Sequence, residues 1–303
     1  MDRRQFLRAG VALGVSAAGG AVSPSARART PQSGVAEPQS ATGPLRLNYN
    51  ENPLGLSPAA RRAITVDLEE AHRYPDALRN VVRETLARKT GVETENVVLG
   101  NGSTEILQMI VQAASTPNAG LVLANPTFEA MSRYQRPLSY RIEKVPLDAS
   151  FAHDIDRMRE VVAARRRPTI VYLCNPNNPT GTVTKSADID DWIEEAPETV
   201  LFAVDEAYIE YVKTPGYWSA IKWITERPNV IVVRTFSKIY AMAGLRLGYA
   251  FAHAETARRL REFMSSDNAN GLALAAAHAA LADDQLVERS RLSNSEAMRI
   301  ATD

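Results

Sequence analysis

The sequence has one cysteine and few histidines, and neither charge is in excess. The single cysteine, Cys174, excludes an internal disulfide and gives no information about the redox compartment. The 35 Lys and Arg residues balance 35 Asp and Glu residues, so the charge favours neither nucleic acid nor an anionic membrane as a partner. The four histidines lack the spacing of metal ligands, and no metal site is expected. They are His72, His153, His253 and His278.

Long apolar runs are also scarce. A pair of arginines within residues 2–8 precedes a short, glycine-rich apolar stretch over 9–22 and an Ala-Arg-Ala site at 26–28. This order is typical of a twin-arginine export signal, predicted here over residues 1–28, and the stretch is too short for a convincing transmembrane helix. Residues 29–44 are expected to be a disordered leader. The expected location is periplasmic, or cytoplasmic if the arginines are a chance feature of a frayed tail.

The rest of the sequence alternates apolar, strand-like runs with amphipathic helical patterns. Alternation of this kind predicts the α/β class, with a mostly parallel sheet covered by helices on both faces. A chain of 303 residues with 45% hydrophobic residues suits one large domain and a smaller one. In such sheets ligands bind beyond the carboxyl ends of the strands. The predicted strands cover residues 96–99, 120–124, 142–145, 169–173, 200–204, 230–233 and 247–252.

Polar motifs follow several of these strands. Residues 100–105 read Gly-Asn-Gly-Ser-Thr-Glu before an apolar helix, and a glycine turn at a helix start offers free amides to an anion. A plain turn with Ser103 as the N-cap is the alternative. Phe128, in the Asn-Pro-Thr-Phe run, suits either a stacking contact with a planar ring or a hydrophobic staple. Two prolines within 174–181 fix the asparagine amides of that loop as donors.

Two further motifs carry ionisable groups. Asp205 directly ends an apolar strand, where burial is costly unless a cation such as a protonated pyridine nitrogen pairs with it. Tyr208 could bond a phenolic oxygen of the same ring; the alternative is that Asp205 caps a helix. Lys238 lies among small and apolar residues, and desolvation would lower its pKa toward the neutral amine that a Schiff base requires.

The residues around this lysine suit a phosphate group. Thr235 and Ser237 supply hydroxyl donors, and Arg246 supplies a planar cationic fork. The alternative is a lysine at a helix start beside an arginine that pairs with a carboxylate.

Taken together, the motifs at 50–55, 73–76, 177–181, 205–208 and 234–248 resemble those of the class I and II aminotransferases, in the same order. These are pyridoxal 5'-phosphate (PLP) enzymes with the aspartate-aminotransferase fold, and the closest likeness is to the histidinol-phosphate aminotransferase branch. The resemblance covers about residues 45 to 303.

The resemblance implies a role for each matching residue. Lys238 would bind the cofactor covalently and carry the substrate proton, and Asp205 would keep the pyridine nitrogen protonated. Tyr208 would bond the ring's phenolic oxygen, together with Asn178. The phosphate would lie among Gly102, Ser103, Thr104, Thr235, Ser237 and Arg246.

Four other positions are also implicated. Phe128 would stack on the ring, where many relatives have tyrosine. Tyr74 would reach the phosphate of a neighbouring subunit, which implies a homodimer. Asn50 and Asn52 match a mobile segment that closes over substrate.

The resemblance also divides the chain. It implies an N-terminal segment over 45–72 that contributes to a small domain and to closure, a large PLP-binding domain over 73–265, and an interdomain helix with an incomplete small domain over 266–303. Relatives continue into that small domain, whose arginine binds the substrate carboxylate. We interpret the chain as a partial sequence or a truncated product, and a truncated product would be unstable and weakly active because apolar surface would be exposed.

The implied function is PLP-dependent transamination between an L-amino acid or amino alcohol phosphate and a 2-oxo acid. In the named branch, L-histidinol phosphate and 2-oxoglutarate give imidazole acetol phosphate and glutamate. Export fits poorly with a biosynthetic step, so the amino donor stays open. The alternatives are a PLP-dependent lyase or decarboxylase of the same fold, or an inactive remnant. The intact set of Lys238, Asp205 and Asn178 argues against the remnant.

Overall fold

A computed structural model of the chain describes residues 47–116, 118–134 and 141–302. The predicted signal peptide over 1–28 and the leader over 29–44 lie outside the described residues, so both stay predictions.

One seven-stranded sheet forms the centre of the fold, in the order β1-β7-β6-β5-β4-β2-β3. The pairs among β2, β3, β4, β5 and β6 are parallel, whereas β7 runs antiparallel to both of its neighbours, β1 and β6. The strands are β1 (Val97–Gly100), β2 (Gly120–Asn125), β3 (Arg141–Pro146), β4 (Thr169–Cys174), β5 (Val200–Asp205), β6 (Val230–Thr235) and β7 (Gly248–Ala252).

Helices cover both faces of this sheet. The described helices are α1 (Pro58–Asp67), α2 (Asp76–Thr90), α3 (Ser103–Ala113), α4 (Ala130–Tyr134), α5 (Ile155–Arg165), α6 (Ser186–Glu195), α7 (Ala254–Arg261), α8 (Gly271–Leu281) and α9 (Leu286–Thr302). Residues of α3, α4 and α7 pack on one face, and residues of α2, α5, α6 and α8 belong to the core on the other.

Strand β4 shows why the central strands are apolar throughout. Val171 and Leu173 belong to one core, whereas Ile170, Tyr172 and Cys174 belong to the other. Successive side chains of a strand point to opposite faces, so a strand covered on both sides needs an apolar residue at nearly every position. The uninterrupted runs in the sequence are the consequence of this double coverage.

The predicted fold class is confirmed. Each of the seven predicted strands is present within about two residues of its expected bounds. The pattern does not reveal that β7 is reversed, because an apolar run reads the same in either direction.

Helices α1 and α2 both pack on α8. Among the helices within 47–302 that the structure describes, none has both the length and the apolar character needed to cross a membrane.

Gly248 allows the reversed strand to approach the turn between β1 and α3. A Cβ at Gly248 would lie 2.2 Å from Ser103 N and 2.6 Å from Gly102 C. Both are backbone atoms that cannot rotate away, so glycine is required by this close approach.

We therefore expect Gly248→Ala to lower the free energy of unfolding by about 1–3 kcal/mol, because overpacking must displace β7 or the turn. Urea unfolding would measure the change. The matched control is Gly244→Ala, since a Cβ there would have no neighbouring atom within 4 Å. Equal stability of the two variants would contradict the role given to Gly248.

Candidate functional site

The strand ends that carry most of the predicted site residues lie together at one edge of the sheet. The carboxyl ends of β1 and β6 flank the beginning of the antiparallel strand β7, so that Gly248 pairs with both Gly100 and Thr235. On the other side of β6, Asp205 pairs with Val233. Loops that lie far apart in the sequence therefore leave the sheet side by side.

A candidate anion-binding corner lies where β1 meets α3. Gly102 has φ 77° and precedes the helix, which begins at Ser103. A Cβ on Gly102 would lie 2.2 Å from Arg246 Nη2, and the same guanidinium donates to Thr104 Oγ1 at 3.2 Å. Free helix amides, a hydroxyl and a guanidinium thus share one corner, as anion binding requires. Gly102 rather than Ser103 occupies the N-cap position.

The turn after β6 supplies more donors to the same edge. Thr235 Oγ1 accepts from Ser237 N at 3.0 Å and donates to Ser237 Oγ at 2.9 Å. Both side chains are buried. This turn directs the chain into Lys238. Thr235 pairs with Gly248, which in turn approaches the backbone of Gly102 and Ser103, so this turn and the corner lie at the same edge of the sheet.

Lys238 is half-buried, and burial lowers the pKa of its amine. Its Nζ donates to the backbone carbonyl oxygens of Tyr49 at 2.9 Å and Asn50 at 3.2 Å. The same atom lies 5.6 Å from the centre of the Tyr208 ring. A lowered pKa raises the fraction of neutral amine at a given pH, which is the form that attacks a carbonyl.

Asp205 is 1% exposed and ends β5. Its Oδ1 accepts from Ala207 N at 3.1 Å, and its Oδ2 accepts from the Tyr172 hydroxyl at 2.8 Å. Burial raises the pKa of the carboxyl to about 6, against the opposing effect of these two donors. Asp205 does not cap a helix. Its side chain accepts the hydrogen bond from Ala207 N within a turn, and the short 3-10 helix that follows, Ile209–Tyr211, has Tyr208 at its N-cap position.

The asparagine loop after β4 is held from several sides. Asn177 Oδ1 accepts from Thr127 Oγ1 at 2.7 Å, and Asn177 Nδ2 donates to Pro126 O at 3.2 Å. These bonds tie the loop to the segment that carries Phe128, which is half-buried. Asn178 is half-buried next to them. The loop therefore presents Asn178 from a rigid support.

The N-terminal segment reaches this site through two asparagines. Asn50 Nδ2 donates to the Tyr208 hydroxyl at 3.0 Å. Asn52 Nδ2 donates to Ile239 O at 3.0 Å and to Ser290 Oγ at 2.9 Å. Asn52 thus fastens the backbone next to Lys238 to helix α9, and its predicted contact with substrate stays a prediction.

Tyr74 does not join this cluster through any described hydrogen bond, and it is 75% exposed. Nearby Val66 and Leu68 are 75% and 53% exposed. Exposed apolar side chains are available for contact with another molecule.

A buried ion pair that the sequence reasoning missed braces the site. Arg234 Nη2 lies 2.9 Å from Glu206 Oε2, and Glu206 also accepts from Ser219 Oγ and Ala220 N. The pair joins the residues next to Asp205 and Thr235, so it links the two strand ends. Tyr172 was also missed. The alternation of β4 could have placed its side chain on one face, but not opposite Asp205.

Comparison of the chain with known proteins points to one family. The family model for aminotransferase class I and II matches residues 42–302. The histidinol-phosphate aminotransferase of Moorella thermoacetica is 41% identical over 253 residues, which are 83% of this chain and 65% of the relative. The chain therefore spans slightly less than two thirds of the length of that relative.

Two solved structures are also similar. A crystal structure from Erwinia carotovora atroseptica is 36% identical with a TM-score of 0.83, and the match covers 85% of this chain and 75% of that one. The histidinol-phosphate aminotransferase of Sinorhizobium meliloti, solved in complex with pyridoxal-5'-phosphate, is 29% identical with a TM-score of 0.76; the match covers 80% of this chain and 66% of that one. The chain therefore resembles the histidinol-phosphate aminotransferase branch, as its motifs predicted. It belongs to the class I and II aminotransferase family.

Proposed function

We propose that the protein is a PLP-dependent aminotransferase that moves the amino group of an L-amino acid or amino alcohol phosphate to a 2-oxo acid. The observation that carries the proposal is the meeting of three groups at one sheet edge. These groups are the half-buried amine of Lys238, the buried carboxylate of Asp205 and the anion-binding corner around Arg246.

The residues at this edge fit the cofactor. Asp205 is a buried carboxylate that forms no salt bridge with any residue of the described chain, so a protonated ring nitrogen would satisfy it. The corner formed by Gly102, Thr104 and Arg246 would bind the phosphate. Asn178 and Tyr208 would bond the phenolic oxygen, and Phe128 would cover the ring.

When bound, PLP supplies an electron sink for the bond that breaks at the substrate α-carbon. Lys238 Nζ would take the proton from that carbon and return it during transfer, which requires the amine to be neutral. Asp205 would hold a proton on the ring nitrogen, because a buried anion stabilises an adjacent cation. The Tyr208 hydroxyl accepts a hydrogen bond from Asn50, so its own proton would be free to donate to the ring oxygen.

The amino donor is proposed from the relatives. The proteins from Moorella thermoacetica and Sinorhizobium meliloti are named for histidinol phosphate, and this makes it the first donor to test. The acceptor we propose is 2-oxoglutarate.

We expect added PLP to give the purified protein a visible absorbance band that depends on Lys238. Lys238→Ala removes the amine proposed to bind PLP covalently, so the variant should lack the band. Its circular dichroism spectrum should match that of the wild type, which would show that the fold is kept. Lys144→Ala is the control, because Lys144 is an exposed lysine of β3. A folded wild-type protein without the band would contradict the cofactor site.

We expect histidinol phosphate and 2-oxoglutarate to yield glutamate in amounts equal to the donor consumed, measured by chromatography of both products. A transferase conserves the amino group, whereas a lyase or decarboxylase of this fold would release ammonia or carbon dioxide instead. Release of ammonia or carbon dioxide without formation of glutamate would favour a lyase or decarboxylase. A panel of aromatic amino acids would identify the donor if histidinol phosphate is inactive.

We also propose a homodimer in which Tyr74 of one subunit serves the site of the other. The exposure of the large side chains of Val66, Leu68 and Tyr74 supports this proposal, since exposed apolar side chains suit burial in an interface.

Mixing two variants tests this arrangement. Lys238→Ala and Tyr74→Phe each damage every site of their own homodimer, but a mixed dimer would contain one site with both residues intact. We expect light scattering to show a dimer. Mixing after mild dissociation should restore tight PLP binding at one site of each mixed dimer. Unchanged binding after subunit exchange, or a monomer in solution, would contradict the shared site.

A further inference from the structure

A fully buried tyrosine lies behind the carboxylate of the site. Tyr172 is 0% exposed, and its hydroxyl donates to Asp205 Oδ2 at 2.8 Å. Nothing in the function proposed above uses this residue, because it lies too deep in the sheet to contact a substrate.

The register of β4 and β5 explains the contact. Cys174 pairs with Asp205, and Tyr172 pairs with Ala203 two residues earlier. Residues two apart in a strand point to the same face, so Tyr172 and Asp205 share a face of the sheet. Tyr172 lies two residue pairs further from the carboxyl edge, and its long side chain carries the hydroxyl to the carboxylate.

The two donors fix both oxygens of the carboxylate. Ala207 N binds Oδ1, and the Tyr172 hydroxyl binds Oδ2. Each oxygen of the Asp205 carboxylate accepts one hydrogen bond, so rotation of the carboxylate would break at least one of them. The lone pairs of Asp205 that accept no hydrogen bond are therefore held in a fixed orientation. Cys174 cannot substitute for the tyrosine, since its thiol donates to Pro176 O at 3.4 Å.

We propose that Tyr172 is a positioning residue that holds Asp205 in the ionised form and in the orientation needed to pair with a protonated ring nitrogen. The proposal rests on the proposed PLP-dependent function. It gives the tyrosine no contact with cofactor or substrate, and its effect passes through Asp205 alone.

The electrostatics of the cluster agree with this role. Burial raises the pKa of Asp205 to about 6, and the hydrogen bond from Tyr172 acts in the opposite direction. Burial also raises the pKa of Tyr172 well above its ordinary value, so the hydroxyl stays protonated and remains a donor. The other ionisable groups that act on Asp205 are Glu206, which raises its pKa, and Lys238, which lowers it. Cys174 stays a neutral thiol, because burial raises its pKa.

The test compares Tyr172→Phe with Tyr249→Phe. Tyr249 is a second buried tyrosine of the sheet, 2% exposed, and its hydroxyl interacts with Arg234 instead of Asp205. Both substitutions remove one buried hydroxyl and keep the ring. Equilibrium dialysis would measure the affinity for PLP and for its analogue with carbon in place of the ring nitrogen, which cannot use Asp205.

We expect Tyr172→Phe to bind PLP about tenfold more weakly, the scale of one hydrogen bond to a charged group. The preference for PLP over the carbon analogue should fall by a similar factor, whereas Tyr249→Phe should keep the preference of the wild type. A purely structural effect would weaken the binding of both ligands equally in both variants.

The pH dependence provides a second readout. Protonation of Asp205 below its raised pKa removes the anion that pairs with the ring nitrogen, so PLP affinity of the wild type should fall as the pH drops through about 6. In Tyr172→Phe the fall should begin at a higher pH, because the donor that favours the anion is gone.

Each outcome has one meaning. Tyr172→Phe with the preference and pH midpoint of the wild type would overturn the positioning role and leave the proposed function intact. A wild-type protein that binds neither ligand would overturn both. A lost preference confined to Tyr172→Phe would support the inference.

Discussion

The site depends on a carboxylate that has almost no contact with water. Ionised Asp205 in this position is costly, and a backbone amide and a tyrosine hydroxyl offset part of the cost. A cation at the carboxyl edge of the sheet would offset the remaining cost while the carboxylate stays ionised. Neighbouring features follow from the same constraint: Lys238 is close enough to lower the pKa of Asp205, and Glu206 is neutralised by Arg234 rather than left beside a second anion.

Rigid support of these groups comes from the sheet. Strand ends, not long loops, carry Asp205, Thr235 and Gly100, and their pairing fixes the spacing of the groups that follow them. The asparagine loop and the N-terminal segment are then fastened to this frame by side-chain amides, through Asn177 and Asn52. Sites built on strands in this way hold their groups more closely than sites built on free loops.

The sequence predicted the positions of the strands along the chain well, but not the order of the strands in the sheet or the direction of β7. Apolar runs bounded by polar motifs locate each strand, because burial on both faces demands them. The order of strands in the sheet depends on packing between distant segments, so neither the reversal of β7 nor the contact of Tyr172 with Asp205 could be read from a run of letters. The candidate site residues were predicted from motifs. The hydrogen bonds of Asn52 to Ile239 and Ser290 instead involve residues 187 and 238 positions away, which no local pattern encodes.

The reversed strand β7 also determines the order of events during synthesis. Its partners begin at Val97 and Val230, and its own last residue is Ala252, so β1 must wait for more than half of the described chain before its pairing can form. Closing so long a loop is entropically costly and slow. The anion-binding corner therefore cannot assemble on a nascent chain until Ala252 has left the ribosome, even though the glycine turn that contributes to it is among the first elements made.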